Sequence, residues 1–272
     1  MPWIIRGLRN GVLTSKWPSS GDEYFDTFHA TIDVDLEAAV NVDPGTLDDV
    51  AKDCPTAAIS TVPGLRLDRG QCILCGRCVD SLPAVFRWAP GSGAAALSLD
   101  QLLVGDLPET TETVELLRTE LAAKVRSLRR SIHIRHVDAG SDGADEWEIQ
   151  ALLNPVYDIH RLGIFFTASP RHADILLVTG IGTAGMTDAL RATRAAMPDP
   201  VVVIASGTDA VGGGLIGGGY TQGSGIGELL GVDLLIPGSP PSPFTLLHAF
   251  LLALGRFPSD KPTYTPKKRD RP

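Results

Sequence analysis

Between residues 131 and 256 the chain alternates short β-branched runs with longer helical stretches. "SIHIRHV", "ADILLVTG", "PVVVIASG" and "VDLLIPG" read as strands, and "EWEIQALLN", "TDALRATRAAM" and "SPFTLLHAFLLALG" as helices. Strands separated by helices pair in parallel and are covered on both faces, so the pattern predicts a doubly wound α/β sheet. Just upstream, "PETTETVELLRTELAAKVRSLRR" spaces Val114, Leu117, Leu121, Val125 and Leu128 as a helix does. It reads as a connector over residues 101–130. In open parallel sheets ligands bind beyond the carboxyl ends of the strands. The segments to watch are therefore "DAGSDGADEWEI", "ASGTDAVGGG" and "IPGSPPSPF".

The longest apolar run, "FTLLHAFLLALG" at 244–255, is too short to span a bilayer and carries His248. At the other end, "MPWIIRGLRNGVLTSKWP" places Ile4, Leu8 and Val12 on one helical face with Arg6, Arg9 and Lys16 elsewhere. Such a segment suits a membrane surface or a neighbouring subunit, but its two glycines weaken it and ordinary packing is the expectation. Residues 257–272 are Pro-rich and basic and read as a disordered tail. With 272 residues, 43% of them hydrophobic, the chain can bury a sizeable core and is expected to make two domains. A net charge of −8 gives no electrostatic support to nucleic-acid binding.

Cysteine placement sharpens the picture. The chain has four, at 54, 72, 75 and 78, and three of them lie in "CILCGRCVDSLP". That run follows the C-x2-C-x2-C-x3-C-P pattern of bacterial ferredoxins up to its last position, where Leu82 replaces the cysteine. In two-cluster ferredoxins the cysteine before the proline ligates the other cluster, so the fourth ligand should come from a second Cys-Pro. "DCPTAAIS" supplies it as Cys54–Pro55. Counting back from Cys54 at the same spacing gives Val50, Leu47 and Pro44, where a second cluster's thiolates would have stood. One [4Fe–4S] cluster on Cys54, Cys72, Cys75 and Cys78 uses every thiol in the chain. A zinc ribbon is the rival, but it wants two separated pairs rather than a tight run of three. A disulfide framework fits poorly with the lack of a secretory signal. Residues 1–100 are thus expected to form a ferredoxin-like α+β domain, 101–130 the connecting helix, and 131–256 the parallel-sheet domain, of flavodoxin-like type.

Several ordered motifs in the second half carry a resemblance. "RHVDAGS", "EWEI", "LNPVYDIHRLGIFFTASPRHADILLVTG" and "PGSPPSP" resemble the small, cluster-bearing subunit of membrane-bound group 4 [NiFe] hydrogenases and formate hydrogenlyases, a relative of the 20 kDa-type subunit of complex I. The first half, including "GLRNGVLTSKWP", resembles the polyferredoxin subunit of the same complexes. The chain looks like the two joined. The resemblance implies a hydrogenase- or complex I-like large subunit and membrane subunits as partners, an electron donor that the sequence does not name, and a peripheral position on the cytoplasmic face of the membrane through those partners.

One departure from that family weighs more than the match. Where relatives hold four cluster cysteines in the strand-end loops, this chain has Asp142, Asp145, Asp209 and Ser239. Iron–sulfur assembly depends on soft sulfur donors, so a second cluster is not expected there. Either the loops bind a hard cation such as magnesium or calcium, or they have relaxed and their carboxylates are solvated at an interface, and the latter is favoured. The reading is an electron-transfer and scaffold subunit, with a purely structural adaptor as the alternative. A weaker alternative is dinucleotide binding through "GIGTAG", Gly180 to Gly185, which follows a strand and precedes a helix, with Asp209 near the end of the next strand. The histidines lack metal spacing, although His136 and Asp138 lie beside the altered loop. No catalytic constellation is visible.

Overall fold

A computed structural model describes residues 2–93, 95–105, 111–126, 128 and 131–256. The tail expected to be disordered lies outside the described residues. The first hundred residues fold into two small antiparallel sheets. One pairs β1 (His29–Val34) with β4 (Phe86–Pro90), and the other runs in the order β2 (Ile59–Ser60), β3 (Arg66–Asp68), β5 (Leu103–Val104). Short helices α2 (Leu36–Ala39), α3 (Pro44–Lys52) and α4 (Arg77–Ser81) join them. In α3, Asp43 caps the amide of Thr46 and Pro44 takes the first turn, where its missing N–H costs nothing. This helix occupies the positions where a second cluster's thiolates were sought. Val50 is buried in it.

The connecting helix expected over 101–130 is shorter, α5 (Thr111–Val125), because Leu103–Val104 pairs with β3 instead. Beyond it lies a five-stranded parallel sheet of β6 (Ile132–Asp138), β7 (Ile164–Phe166), β8 (Ile175–Thr179), β9 (Val202–Ser206) and β10 (Leu234–Ile236), ordered β7-β6-β8-β9-β10. Numbered within the sheet this is 2-1-3-4-5, the flavodoxin-like order, whose crevice opens between the first and third strands. Helices α6 (Ala144–Ala151), α7 (Thr187–Ala195), α8 (Thr208–Gly212) and α9 (Pro243–Ala253) cover it. Ile132, Ile134, Ile175, Leu177, Val202 and Ile204 face one core with α6 and α9, and Leu176, Val178, Val203 and Ala205 face another with Leu190 of α7. Burial on both faces explains why these strands are continuous apolar runs. The short edge strand β7, "IFF" after Gly163, escaped the sequence reading. Ser242 caps α9 at the Thr245 amide, and nine of the helix's eleven residues are buried. Its apolar surface is that of a core element. No helix among the described residues is long and apolar enough to cross a membrane.

The two sheet systems are stitched together. Ala96 forms an antiparallel bridge with Leu235 on the outer edge of β10, which covers an edge that would otherwise offer unpaired backbone groups. Trp17 enters the core beneath α9, stacked on Phe25 and edge-on to Phe244. The segment just before it behaves differently. Helix α1 (Pro2–Asn10) has no buried residue, against the expectation of ordinary packing. Gly11, at φ +64°, ends it in the left-handed conformation that glycine adopts without penalty.

Candidate metal centre and the altered strand ends

The Cys72–Cys78 loop turns through backbone conformations that few side chains tolerate. Leu74 has φ +54° and Gly76 φ +77°, and a Cβ on Gly76 would lie 2.7 Å from Trp88 Cζ2. Ala57, three residues after Cys54, has φ +51°. Strain of this kind persists where the surroundings over-determine a loop, commonly at functional sites. Here it brings all four cysteines to one cavity, lined also by Ile32, Val50, Ala58, Ile59, Leu67 and Ile73. Cys72 and Cys78 are buried, Cys54 is half-buried and Cys75 is exposed, and all four are free thiols. The Ala58 amide donates to Cys54 Sγ at 3.3 Å, and the amides of Leu74 and Val79 donate to Cys72 and Cys78. Burial nonetheless pushes both of those thiols up to about 11, with the neighbouring cysteines adding to the rise. They are protonated at neutral pH, and metal loading must displace those protons.

Among the described residues no three His, Cys, Asp or Glu side chains are arranged to hold one metal ion. For the thiols this agrees with the cavity. The four ligands of a cubane bind four different irons and so surround a volume rather than meet at a point. An apolar cavity ringed by four sulfurs, with amides aimed at three of them, has the donor chemistry such a cluster requires.

The strand-end loops of the parallel sheet lie against this cavity. Thr208 Oγ1 donates to the Cys72 carbonyl at 2.9 Å in a buried contact, and Gln71 Nε2 donates to the Gly212 carbonyl at 2.8 Å. Thr208 also accepts from the Gly238 amide, and its own amide bonds the Gly238 carbonyl. The loops after β9 and β10 are thereby fastened together beside Cys72. Neither Thr208 nor Gln71 stood out in the sequence, since each matters through a contact about 140 residues away.

Asp145 opens α6 and is only 5% exposed. Its carboxylate abuts Gly207, where a Cβ would fall 2.0 Å from Oδ2. Burial, and then Glu146, Asp209, Asp142 and Asp138, push its pKa up to about 8. It is largely neutral at pH 7. Asp209 is raised as well, by burial first and then by Asp142 and Glu146. Asp142 thus lies near enough to act on both Asp145 and Asp209, and Asp209 near enough to act on Asp145. Ser239 stands on the adjoining loop and is exposed. Ser206, the last residue of β9, has a fully buried hydroxyl without a hydrogen-bond partner. The expectation that these carboxylates are solvated in relaxed loops fails at Asp145, which the packing of α6 against Gly207 buries.

Glu146, which the sequence reading passed over, organises the rest of the pocket. It accepts from Thr179 Oγ1 and from Ser141 Oγ, and it lies 3.7 Å from His136 Nε2. His136 is 3.0 Å from the same threonine, and burial holds it below the usual histidine value, against the pull of Glu146 and Asp138. Asp138 receives the amides of Gly140 and Ser141 at 2.8 Å and so shapes the turn after β6. Two of the three "GIGTAG" glycines serve packing. A Cβ on Gly180 would meet the Gly140 backbone at 2.5 Å, Gly182 lies against Leu229, and Gly185 meets nothing within 4 Å. A dinucleotide fingerprint needs its first turn open to a pyrophosphate and its third glycine packed on a strand. Neither condition holds.

A family model described as NADH ubiquinone oxidoreductase, 20 Kd subunit, matches residues 143–253. A probable membrane-bound hydrogenase subunit of Pyrococcus furiosus is 37% identical over 138 residues, which cover 51% of this chain and 83% of that one. The chain belongs to this family. Formate hydrogenlyase subunit 7 of Escherichia coli is 39% identical over 150 residues, and the match takes in 55% of this chain but only 58% of that relative's length. Among solved structures, a chain of the membrane-bound sulfane sulfur reductase, an archaeal respiratory membrane complex, is similar at 26% identity with a TM-score of 0.42, covering 51% of this chain and 76% of that one. The family model takes in Asp145, Asp209 and Ser239 but stops short of the four cysteines. The two relatives are named as subunits of a formate hydrogenlyase and of a membrane-bound hydrogenase, and the chain spans little more than half the length of the first.

Proposed function

We propose that the protein is an electron-transfer and scaffold subunit of a hydrogenase- or complex I-like oxidoreductase complex, holding one [4Fe–4S] cluster on Cys54, Cys72, Cys75 and Cys78 and lacking a second cluster at the strand ends. The observation that carries the reading is that all four cysteines of the chain, drawn from two separate segments, line one apolar cavity. When bound, the cluster would accept and release single electrons. The chain's own contribution is to aim the amides of Ala58, Leu74 and Val79 at three of the sulfurs, which favours the ionised thiolate. Ile32, Val50 and Leu67 keep water from the buried side. In this proposal residues 1–100 form the cluster domain and 131–256 the docking domain. The large subunit covers the strand ends, the membrane subunits hold the assembly to the cytoplasmic face, and the donor feeds the Cys75 side, where the thiol is exposed.

One observation favours the adaptor reading instead. The pocket where relatives are expected to carry the next centre is filled by a buried neutral acid, Asp145, so no thiolate-held carrier continues the path. Analysis of anaerobically reconstituted protein tests the cluster. About four irons and four sulfides per chain are expected, with Cys54→Ser as damaging as Cys75→Ser and Leu82→Ala without effect. A complete cluster in the Cys54 variant would refute the ligand assignment. Reduction of the wild-type cluster by dithionite but by no protein donor of the assembled complex would leave the adaptor.

A further inference from the structure

Among the described residues the N-terminal helix has no partner that buries it. Residues 2–13 are all exposed, including Trp3 at 73%, Leu8 at 80% and Val12 at 82%. At 3.6 residues per turn, Arg6, Arg9 and Asn10 fall within roughly 100° of the α1 surface, and Trp3, Ile4, Ile5 and Leu8, with Gly7, take up the remainder. The helix is nevertheless firmly rooted. Thr14 Oγ1 donates to the Pro155 carbonyl at 2.8 Å, the Ser15 amide to Val156 at 2.7 Å, and Trp17 is locked in the core. An apolar face is thus projected from a fixed base.

We propose that α1 is an interfacial anchor that lays this subunit directly on a bilayer surface rich in anionic lipid. Charge decides the occupant. Residues 1–21 contain Arg6, Arg9 and Lys16 and no acid, a charge of +3 in a chain of −8, which leaves −11 for everything else. Anionic headgroups attract the helix and repel the body, so the charge pattern itself orients the protein. The face suits the same surface. Trp3 places an amphipathic ring at headgroup depth, and Ile4, Ile5 and Leu8 reach the acyl boundary while both arginines stay wet. An apolar groove on a neighbouring subunit would satisfy the apolar side chains but gives no account of a 21-residue stretch without an acid. This anchor is independent of the cluster, and its failure would leave the cluster reading untouched.

Vesicle flotation of the full chain tests it, comparing phosphatidylcholine alone with a mixture of phosphatidylcholine and phosphatidylglycerol. Binding to the mixed vesicles should exceed binding to the neutral ones by about tenfold and collapse in high salt. Leu8→Glu, and separately Arg6→Glu with Arg9→Glu, should each lower it about tenfold. Because α1 contributes no buried residue, these variants should keep the wild-type circular dichroism and iron content. The Trp3 fluorescence, taken as the difference between wild type and Trp3→Phe, should shift to the blue on the mixed vesicles. Absence of flotation, or flotation that ignores both variants, would overturn the proposal. So would a Trp3 already shielded from acrylamide in the assembled complex without lipid, which would assign the helix to a neighbouring subunit.

Discussion

Asp145→Asn offers the most direct measure of what the altered strand ends do. In the folded chain the carboxyl titrates at about 8 rather than near its ordinary value of 3.8, chiefly through burial, with Glu146, Asp209, Asp142 and Asp138 adding to the rise. A folded-state constant raised above the unfolded one means that the native state holds a proton the unfolded chain has released. The contribution is therefore fully present below about pH 4 and is lost as pH rises through about 8. Each pH unit in that window removes about 1.36 kcal/mol, giving about 4 kcal/mol by pH 7 and about 6 above pH 8. These are upper figures, since the pocket can relax and admit water. Asparagine has nearly the same shape and no proton to lose. Urea unfolding of both proteins across the range from about pH 5 to about pH 9 should show curves that lie close at the acidic end. They should then diverge, with the variant the more stable, because only the wild type is penalised at alkaline pH. A stability difference that stays constant with pH would refute the claim that Asp145 is buried as a neutral acid.

Other outcomes follow from the same contacts. Thr208→Val removes a buried hydroxyl that bridges the Cys72 carbonyl and the Gly238 amide, and a loss of about 2 kcal/mol or more is expected in urea unfolding; an unchanged midpoint would show that the bridge carries nothing. Replacing Asp142, Asp145, Asp209 and Ser239 together by cysteine should add a second [4Fe–4S] signal in electron paramagnetic resonance if the frame keeps cluster geometry, and its absence would show that the loops have drifted. In wild-type protein inside its complex, freeze-quench spectroscopy should find the Cys54 cluster reduced by its donor yet slow to pass electrons to any centre of the large subunit; rapid transfer would require a carrier in the Asp145 pocket.

What the sequence made legible were features set by local spacing. The Cys72–Cys78 run and the Cys54–Pro55 pair stood out by their spacing, and the fold brings them to one cavity. The strands β6, β8, β9 and β10 read from apolar continuity, because both of their faces are buried. What stayed hidden depends on contacts distant in the chain. Strand β7 has three residues and no period to detect. Glu146 looks like any acid in a first helical turn until Thr179, Ser141 and His136 are seen around it. The amphipathic pattern of α1 was visible, but a pattern cannot say what covers it. The aspartates were legible as departures from the resemblance, whereas the neutrality of Asp145 arises from its burial beside Gly207 of another loop and from the acids around it.

The stitching between the two halves sets an order on biosynthesis. Ala96 can close its bridge only once Leu235 has been made, Cys72 meets Thr208 only after a further 136 residues have emerged, and Trp17 waits for Phe244. While the ribosome is still at work, the cysteine loops are complete in sequence but not yet clasped from behind. Chains with so many distant pairings fold slowly, and for that interval Cys72, buried in the finished protein, is still open to solvent. Helix α9, the last among the described residues, is the one that shuts Trp17 in.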